Sequence, residues 1–223
     1  MSHRTGGLLR LLEWPRCYEA LQRLVGSSTI RPRFVAKYLR PQPGDRILDI
    51  GCGTGSILDH LPAGIEYVGY DLNPRYIELA RRQHGQRGTF YCGRVGEHPQ
   101  SVVGLFDVVL AKSILHHLSE REMRALVDTA YAALRPGGVL VTFDPVRHPR
   151  QHLVSRLLIG ADRGQNVLDE EGYRAVLGIR FRRVEGRVVT DLSPRIPFSH
   201  FIARATKQGD ASPAEATQPS PGP

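Results

Sequence analysis

The residues best suited to chemistry lie close together in LDIGCGTGS (48–56), where Asp49 precedes Gly51, Gly53 and Gly55 at alternate positions. A turn lacking side chains lets the backbone approach a ligand to van der Waals distance. A second carboxylate, Asp71, follows 22 residues after Asp49, where it can accept both hydroxyls of a ribose. Glycine loop and acid together point to a bound nucleoside. Dinucleotide-binding chains usually show G-x-G-x-x-G, whereas the third glycine here comes one residue sooner. A second group of candidates is His116 and His117, since histidine titrates near working pH and can move a proton. His148 and His200 are further candidates, and Asp144 either faces a substrate or caps the next turn. The plain alternative for the two adjacent histidines is that they begin a helix and pack.

These residues need a scaffold, and the pattern supplies one. RILDI (46–50), EYVGYD (66–71), TFYCG (89–93), FDVVLA (106–111) and VLVTFD (139–144) read as buried strands separated by helical stretches. Asn73-Pro74 opens one helix through Arg82 as N-cap and first residue. Ser119 with Glu122 forms a capping box for another, which Arg135-Pro-Gly-Gly138 ends. Such alternation means an open parallel sheet with helices on both faces. Asp49 and Asp71 then fall at carboxyl ends of strands, where ligands bind in such sheets. Further on, a helix near 169–177 precedes two strands near 181–190 and 198–204, close enough to pair antiparallel. Before the sheet, residues 8–25 read as a helix interrupted near Trp14-Pro15, and 31–40 as a helix entered through Arg31-Pro32. The last 17 residues (207–223) have no aliphatic side chain larger than alanine and read as disordered.

Composition narrows the classes. At 223 residues and 41% hydrophobic the chain fits one core. No apolar run reaches the roughly 18 residues of a membrane span, and LLRLL (8–12) is too broken for a signal peptide. Cys17, Cys52 and Cys92 have no C-x-x-C spacing, which argues against a disulfide framework or a zinc site and for a reduced, cytoplasmic setting. Net charge is +6 over residues 1–46, −2 over 47–146 and +5 over 147–204. Basic flanks around an acidic middle favour an anionic partner, although 27 Arg against 3 Lys is equally what GC-rich codons would leave.

Four motifs in order, GDRILDIGCGTG, YVGYDLNP, FDVVLAKSILHHL and LRPGGVLVTFDP, resemble the class I S-adenosylmethionine-dependent methyltransferases across roughly residues 44–145. The resemblance implies a Rossmann-like, doubly wound, mostly parallel seven-stranded sheet with an antiparallel last strand. It implies an N-terminal helical lid (1–45), a methyltransferase domain (46–206) with an acceptor-side insertion (147–170), and the tail. S-adenosylmethionine is the implied cofactor. Gly51, Cys52 and Gly53 then wall its methionine part with Asp49 supporting the loop, Asp71 holds the ribose, Leu72 and Val95 lie by the adenine, and Ala111 lies beside the transferable methyl. Arg94 stands where relatives often carry an aspartate, so its contact is in doubt. The segment 113–118 is similar to that of phosphoethanolamine methyltransferases, which implies His117 as catalytic base with Tyr18 as a conceivable partner. Ser113 replaces their aspartate, so their amine substrate does not carry over. The expected acceptor is small and anionic: a glycan, lipid headgroup or secondary metabolite. No Asn/Asp-Pro-Pro-aromatic or Pro-Cys motif follows strand four, which weighs against nucleic acid. An RNA or protein methyltransferase and a non-catalytic cofactor-binding module stay open as alternatives.

Overall fold

The computed structural model describes residues 27–95, 102–149, 151–153, 155–156, 166–190, 192 and 198–209. The expected helix at 8–25, with Trp14, Cys17 and Tyr18, lies outside them, as do residues 210–223. Seven strands form one sheet: β1 (Arg46–Ile50), β2 (Glu66–Asp71), β3 (Gly88–Cys92), β4 (Phe106–Lys112), β5 (Leu134–Pro145), β6 (Arg183–Val189) and β7 (His200–Thr206). Their order is β3-β2-β1-β4-β5-β7-β6. β1 pairs parallel with both β2 and β4, and β7 runs antiparallel between β5 and β6. The chain winds outward from β1 to β3, then restarts on the other side at β4. The crevice at that reversal, outside the strands' carboxyl ends, is where open sheets hold ligands.

The helices are α1 (Ser27–Phe34), α2 (Pro74–His84), α3 (Glu120–Ala133) and α4 (Glu170–Gly178). Their starts follow the sequence signals. The Asn73 side chain accepts the Arg75 N–H, and Ser119 with Glu122 closes a reciprocal capping box. One apolar layer lies between the sheet and α3 with α4, around Leu48, Val109, Val127 and Leu177. The other lies under α1 and α2, around Phe34, Ile47, Leu110 and Ile77.

Several boundaries differ from expectation; β5, expected at 139–144, begins at Leu134 and takes in Arg135-Pro-Gly-Gly138. The helix expected at 31–40 begins at Ser27, encloses Pro32, and continues as a π turn over Val35–Leu39. Burial of Ile30, Phe34, Val35, Tyr38 and Leu39 outweighs the hydrogen bond that proline cannot donate. For the same reason the described part of the expected lid, 27–45, is a layer of the core rather than a cover. Phe34 meets Phe143 edge-on at 5.2 Å, and Arg204 donates to the carbonyls of Tyr38 and Leu39 at 2.7 and 3.0 Å. Lys207, expected in a loose tail, is instead anchored. Lys207 continues the strand by exchanging backbone hydrogen bonds with Gly137 and Gly138. Its ammonium donates to the carbonyls of Tyr131 and Leu134 at 2.9 and 2.7 Å. A lone lysine in a proline-rich stretch carries no local sign of such anchoring.

Candidate active site

The glycine loop leaves β1 with Gly51, Gly53 and Gly55 all at positive φ (81°, 57° and 70°). The three glycines serve different ends. A Cβ on Gly51 would stand 2.7 Å from Ile114, and one on Gly55 would stand 2.8 Å from Phe90, so both are needed for packing. A Cβ on Gly53 would meet nothing within 4 Å, which leaves open space along that backbone. The Gly51 and Cys52 N–H groups donate to the Tyr70 carbonyl at 2.7 and 3.0 Å. Cys52 fills the space above Gly69, where an added Cβ would stand 2.8 Å from its sulfur. Burial pushes its thiol pKa up, which makes it a packing residue and not a nucleophile.

Asp49 is buried below the loop and accepts the Tyr67 hydroxyl at 2.6 Å on Oδ2, while Oδ1 has no hydrogen-bond partner among the described residues. Burial pushes its pKa up to about 7. Asp71, at the end of β2, accepts the Gly53 N–H at 2.9 Å on Oδ2 and the Asn73 N–H at 2.8 Å on Oδ1. Its carboxylate therefore ties the glycine loop to the next strand end and keeps lone pairs for a ligand. Leu72 is 63% exposed beside it, an apolar wall facing outward. Val95 is part-buried against the core. Arg94 lies 4.0 Å from Glu122 on α3. The open space at Gly53, the unpaired Asp49 oxygen and the exposed Leu72 suit a ligand with both polar and ring parts, as a nucleoside cofactor has. Ala111 is wholly enclosed in the core, so at the strand end it contributes backbone.

After β4 the chain turns sharply at Ser113, whose φ is 56° although residues with a side chain seldom adopt that region. The Ser113 N–H is held by the Phe143 carbonyl at 2.7 Å. A short 3₁₀ turn, Leu115–His117, then separates the two histidines by environment. His116 is buried, and its Nδ1–H donates to Asp144 Oδ1 at 2.7 Å, with its backbone N–H on the same oxygen at 3.3 Å. His117 is exposed, its ring 3.9 Å from that of His116. Asn166, at the end of the expected insertion, is tied to this turn: its N–H donates to the His116 carbonyl at 3.1 Å and its side chain to the Leu118 carbonyl at 2.8 Å. His148 follows β5, and its carbonyl accepts the Gln151 N–H at 3.1 Å.

Adjacent strand ends β1, β4, β5 and β7 carry Asp49, Lys112, Asp144 and His200 respectively. Lys112 is absent from the sequence candidates. Its signal is nonetheless visible, as one of only three lysines in the chain and the end of an otherwise apolar run. His200 stacks on Phe143 at 4.3 Å. Burial pushes its pKa down to about 3, and Lys112 and His116 nearby push the same way. Its imidazole thus stays neutral in the fold, whereas it charges near 6.5 when unfolded. The fold loses stability from this group as pH falls below 6.5 toward 3. His200→Phe keeps the stack and removes the titration. Between pH 7.5 and pH 5 the stability difference between the variant and the wild type should move by about 2 kcal/mol in the variant's favour, read from urea midpoints. A difference that stays constant would mean His200 is not held neutral.

Among the described residues no group of three or more His, Cys, Asp and Glu side chains could hold a metal ion, and no helix is long and apolar enough to cross a membrane.

The fold, with a glycine loop and an acid at successive strand ends, defines a nucleotide-cofactor enzyme class, and comparison with known proteins specifies it. A methyltransferase domain model matches residues 48–140. An O-methyltransferase of Penicillium expansum, cnsE, is 32% identical over 198 residues, covering 79% of this chain and 68% of that protein. The ubiquinone biosynthesis O-methyltransferase of Cereibacter sphaeroides is 31% identical over 125 residues, covering 55% of this chain and 49% of that protein. The match thus spans about half the length of that relative. Phosphoethanolamine N-methyltransferase 2 of Haemonchus contortus, solved with phosphomonomethylethanolamine and S-adenosylhomocysteine, shares the fold with a TM-score of 0.69 at 18% identity, covering 90% of this chain and 59% of that one. The chain belongs to the class I S-adenosylmethionine-dependent methyltransferases. Asp49, the glycine loop, Asp71 and Leu72 lie together at the neighbouring ends of β1 and β2.

Proposed function

We propose that the protein moves a methyl group from S-adenosylmethionine to oxygen, or less readily nitrogen, of a small anionic acceptor, with His117 taking the acceptor's proton. The observation that carries this reading is the division of labour after β4: His116 is committed to Asp144, and exposed His117 follows β4, the neighbour of β1 from which the glycine loop leaves. When bound, the cofactor supplies a methyl group on a positively charged sulfur. The chain's part is to hold the two partners in line, exclude water, and receive one proton on the imidazole as the new bond forms. Gly51, Cys52 and Gly53 would line the methionine part, with Asp71 on the ribose and Leu72 and Val95 by the adenine. The naming of both curated relatives as O-methyltransferases supports oxygen as the first choice. The basic flanks support negative charge on the acceptor, because arginine's planar fork suits carboxylate and phosphate.

The test is transfer of labelled methyl from the cofactor into cell extract fractionated into small molecules, lipid, RNA and protein. Label should enter a small-molecule or lipid fraction retained by an anion exchanger, and the rate should fall as salt screens the arginines. Label in RNA or protein, or a neutral product with salt-independent kinetics, would overturn the reading.

A further inference from the structure

We propose that Lys112 is the anion anchor of the acceptor site, its ammonium receiving a carboxylate or phosphate oxygen of the methyl acceptor at the end of β4. The inference rests on the methyl-transfer reading and deepens it by naming the group that recognises the acceptor. Lys112 forms no ion pair or hydrogen bond among the described residues, although it is only part-exposed. Its ammonium lies 5.1 Å from the centre of the Phe143 ring, a contact too weak to replace the water it has lost.

The groups that face it come from every neighbouring element: Arg31 from α1, Asp49 from β1, Asp144 from β5 and His200 from β7. Asp49 and Asp144 favour its charge from a distance, but none of the four forms an ion pair with it among the described residues. Asp144 is engaged by His116, and burial pushes the pKa values of Asp49 and Asp144 up, which weakens their hold on negative charge. Burial also pushes Lys112 down to about 8, with Arg31 adding to the fall, so the amine is still mostly charged at pH 7 and an arriving anion would hold that charge in place.

A second observation marks the same edge as a place for a hydrogen-bond donor, such as the hydroxyl an acceptor would carry beside its anionic group. Asp49 Oδ1, Asp144 Oδ2 and His200 Nδ1 are buried without a hydrogen-bond partner among the described residues. Buried polar atoms seldom go unpaired, and each unpaired one costs about 1–3 kcal/mol. Three such atoms lie on strands β1, β5 and β7, and Lys112 is on β4 among them. The glycine loop and Asp71 follow β1 and β2, which leaves the ends of β4, β5 and β7 for the methyl acceptor.

The experiment titrates benzoate, inorganic phosphate and uncharged benzamide into the protein saturated with S-adenosylhomocysteine, in the wild type and in Lys112→Met and Lys112→Arg. One of the two anions should bind the wild type at least tenfold more tightly than benzamide. Lys112→Met should abolish that preference, Lys112→Arg should restore part of it, and S-adenosylhomocysteine affinity should stay within about threefold throughout. Equal binding of anions and benzamide by the wild type, or an anion preference that survives in Lys112→Met, would overturn the assignment. So would a large loss of S-adenosylhomocysteine affinity in Lys112→Met, which would place the ammonium on the cofactor. Labelled-methyl transfer by the wild type is scored separately. Failure there removes the proposed reaction, whereas failure of the titration removes only the anchor.

Discussion

His117→Ala is expected to lower turnover by about 10²- to 10⁴-fold, the contribution of a positioned general base. Affinity for S-adenosylhomocysteine should stay within a few-fold, because the glycine loop and Asp71 lie on other strands. The imidazole is exposed, so its removal leaves no cavity in the core, and thermal stability should change little. His116→Ala is the informative contrast. It leaves the buried Asp144 without the imidazole that now pairs with it at 2.7 Å, and a buried acceptor left unpaired costs about 1–3 kcal/mol. Its main effect should be a lower unfolding temperature. A folded His116→Ala protein that has lost turnover while His117→Ala retains it would reverse the two roles. Normal turnover in both would mean that transfer relies on alignment and on an acceptor already deprotonated.

Asp71→Ala is expected to weaken S-adenosylhomocysteine binding by about 2–3 kcal/mol, since hydrogen bonds to a charged group are worth about 1.5–3. That corresponds to a dissociation constant raised roughly 30- to 150-fold. The loss has two sources. One is the ribose contact. The other is internal, because the carboxylate also holds the Gly53 and Asn73 N–H groups and so fixes the loop that faces the ligand. Asp71→Asn separates them: it keeps one acceptor oxygen for the backbone but loses the charge. Calorimetry of both variants, with thermal unfolding of the unliganded proteins alongside, distinguishes the two sources. Unchanged affinity in Asp71→Ala would remove Asp71 from the cofactor site.

Much of this architecture was legible before any coordinates. The run RILDI is apolar on both faces, as a central parallel strand must be. Ser119 and Glu122 declare a helix start through their own side chains and nearby backbone. Asp49, the glycines and Asp71 are readable because their spacing encodes a turn and two strand ends. Less legible was the N-terminal segment, where a proline suggested a helix start and burial of Phe34 and Tyr38 decided otherwise.

Local sequence thus determined what depends on neighbours a few residues apart: caps, strand periodicity, the glycine turn, and with them the sheet and family. Tertiary structure alone decided which of two adjacent histidines is buried, because Asp144 lies 28 residues from His116 and meets it only when β5 pairs with β4. It likewise decided that Lys207 is anchored and that Lys112 is left without an ion-pair partner among the described residues. Burial, and the unpaired charge it creates, is a property of the assembled sheet edge, where residues distant in sequence exclude water together.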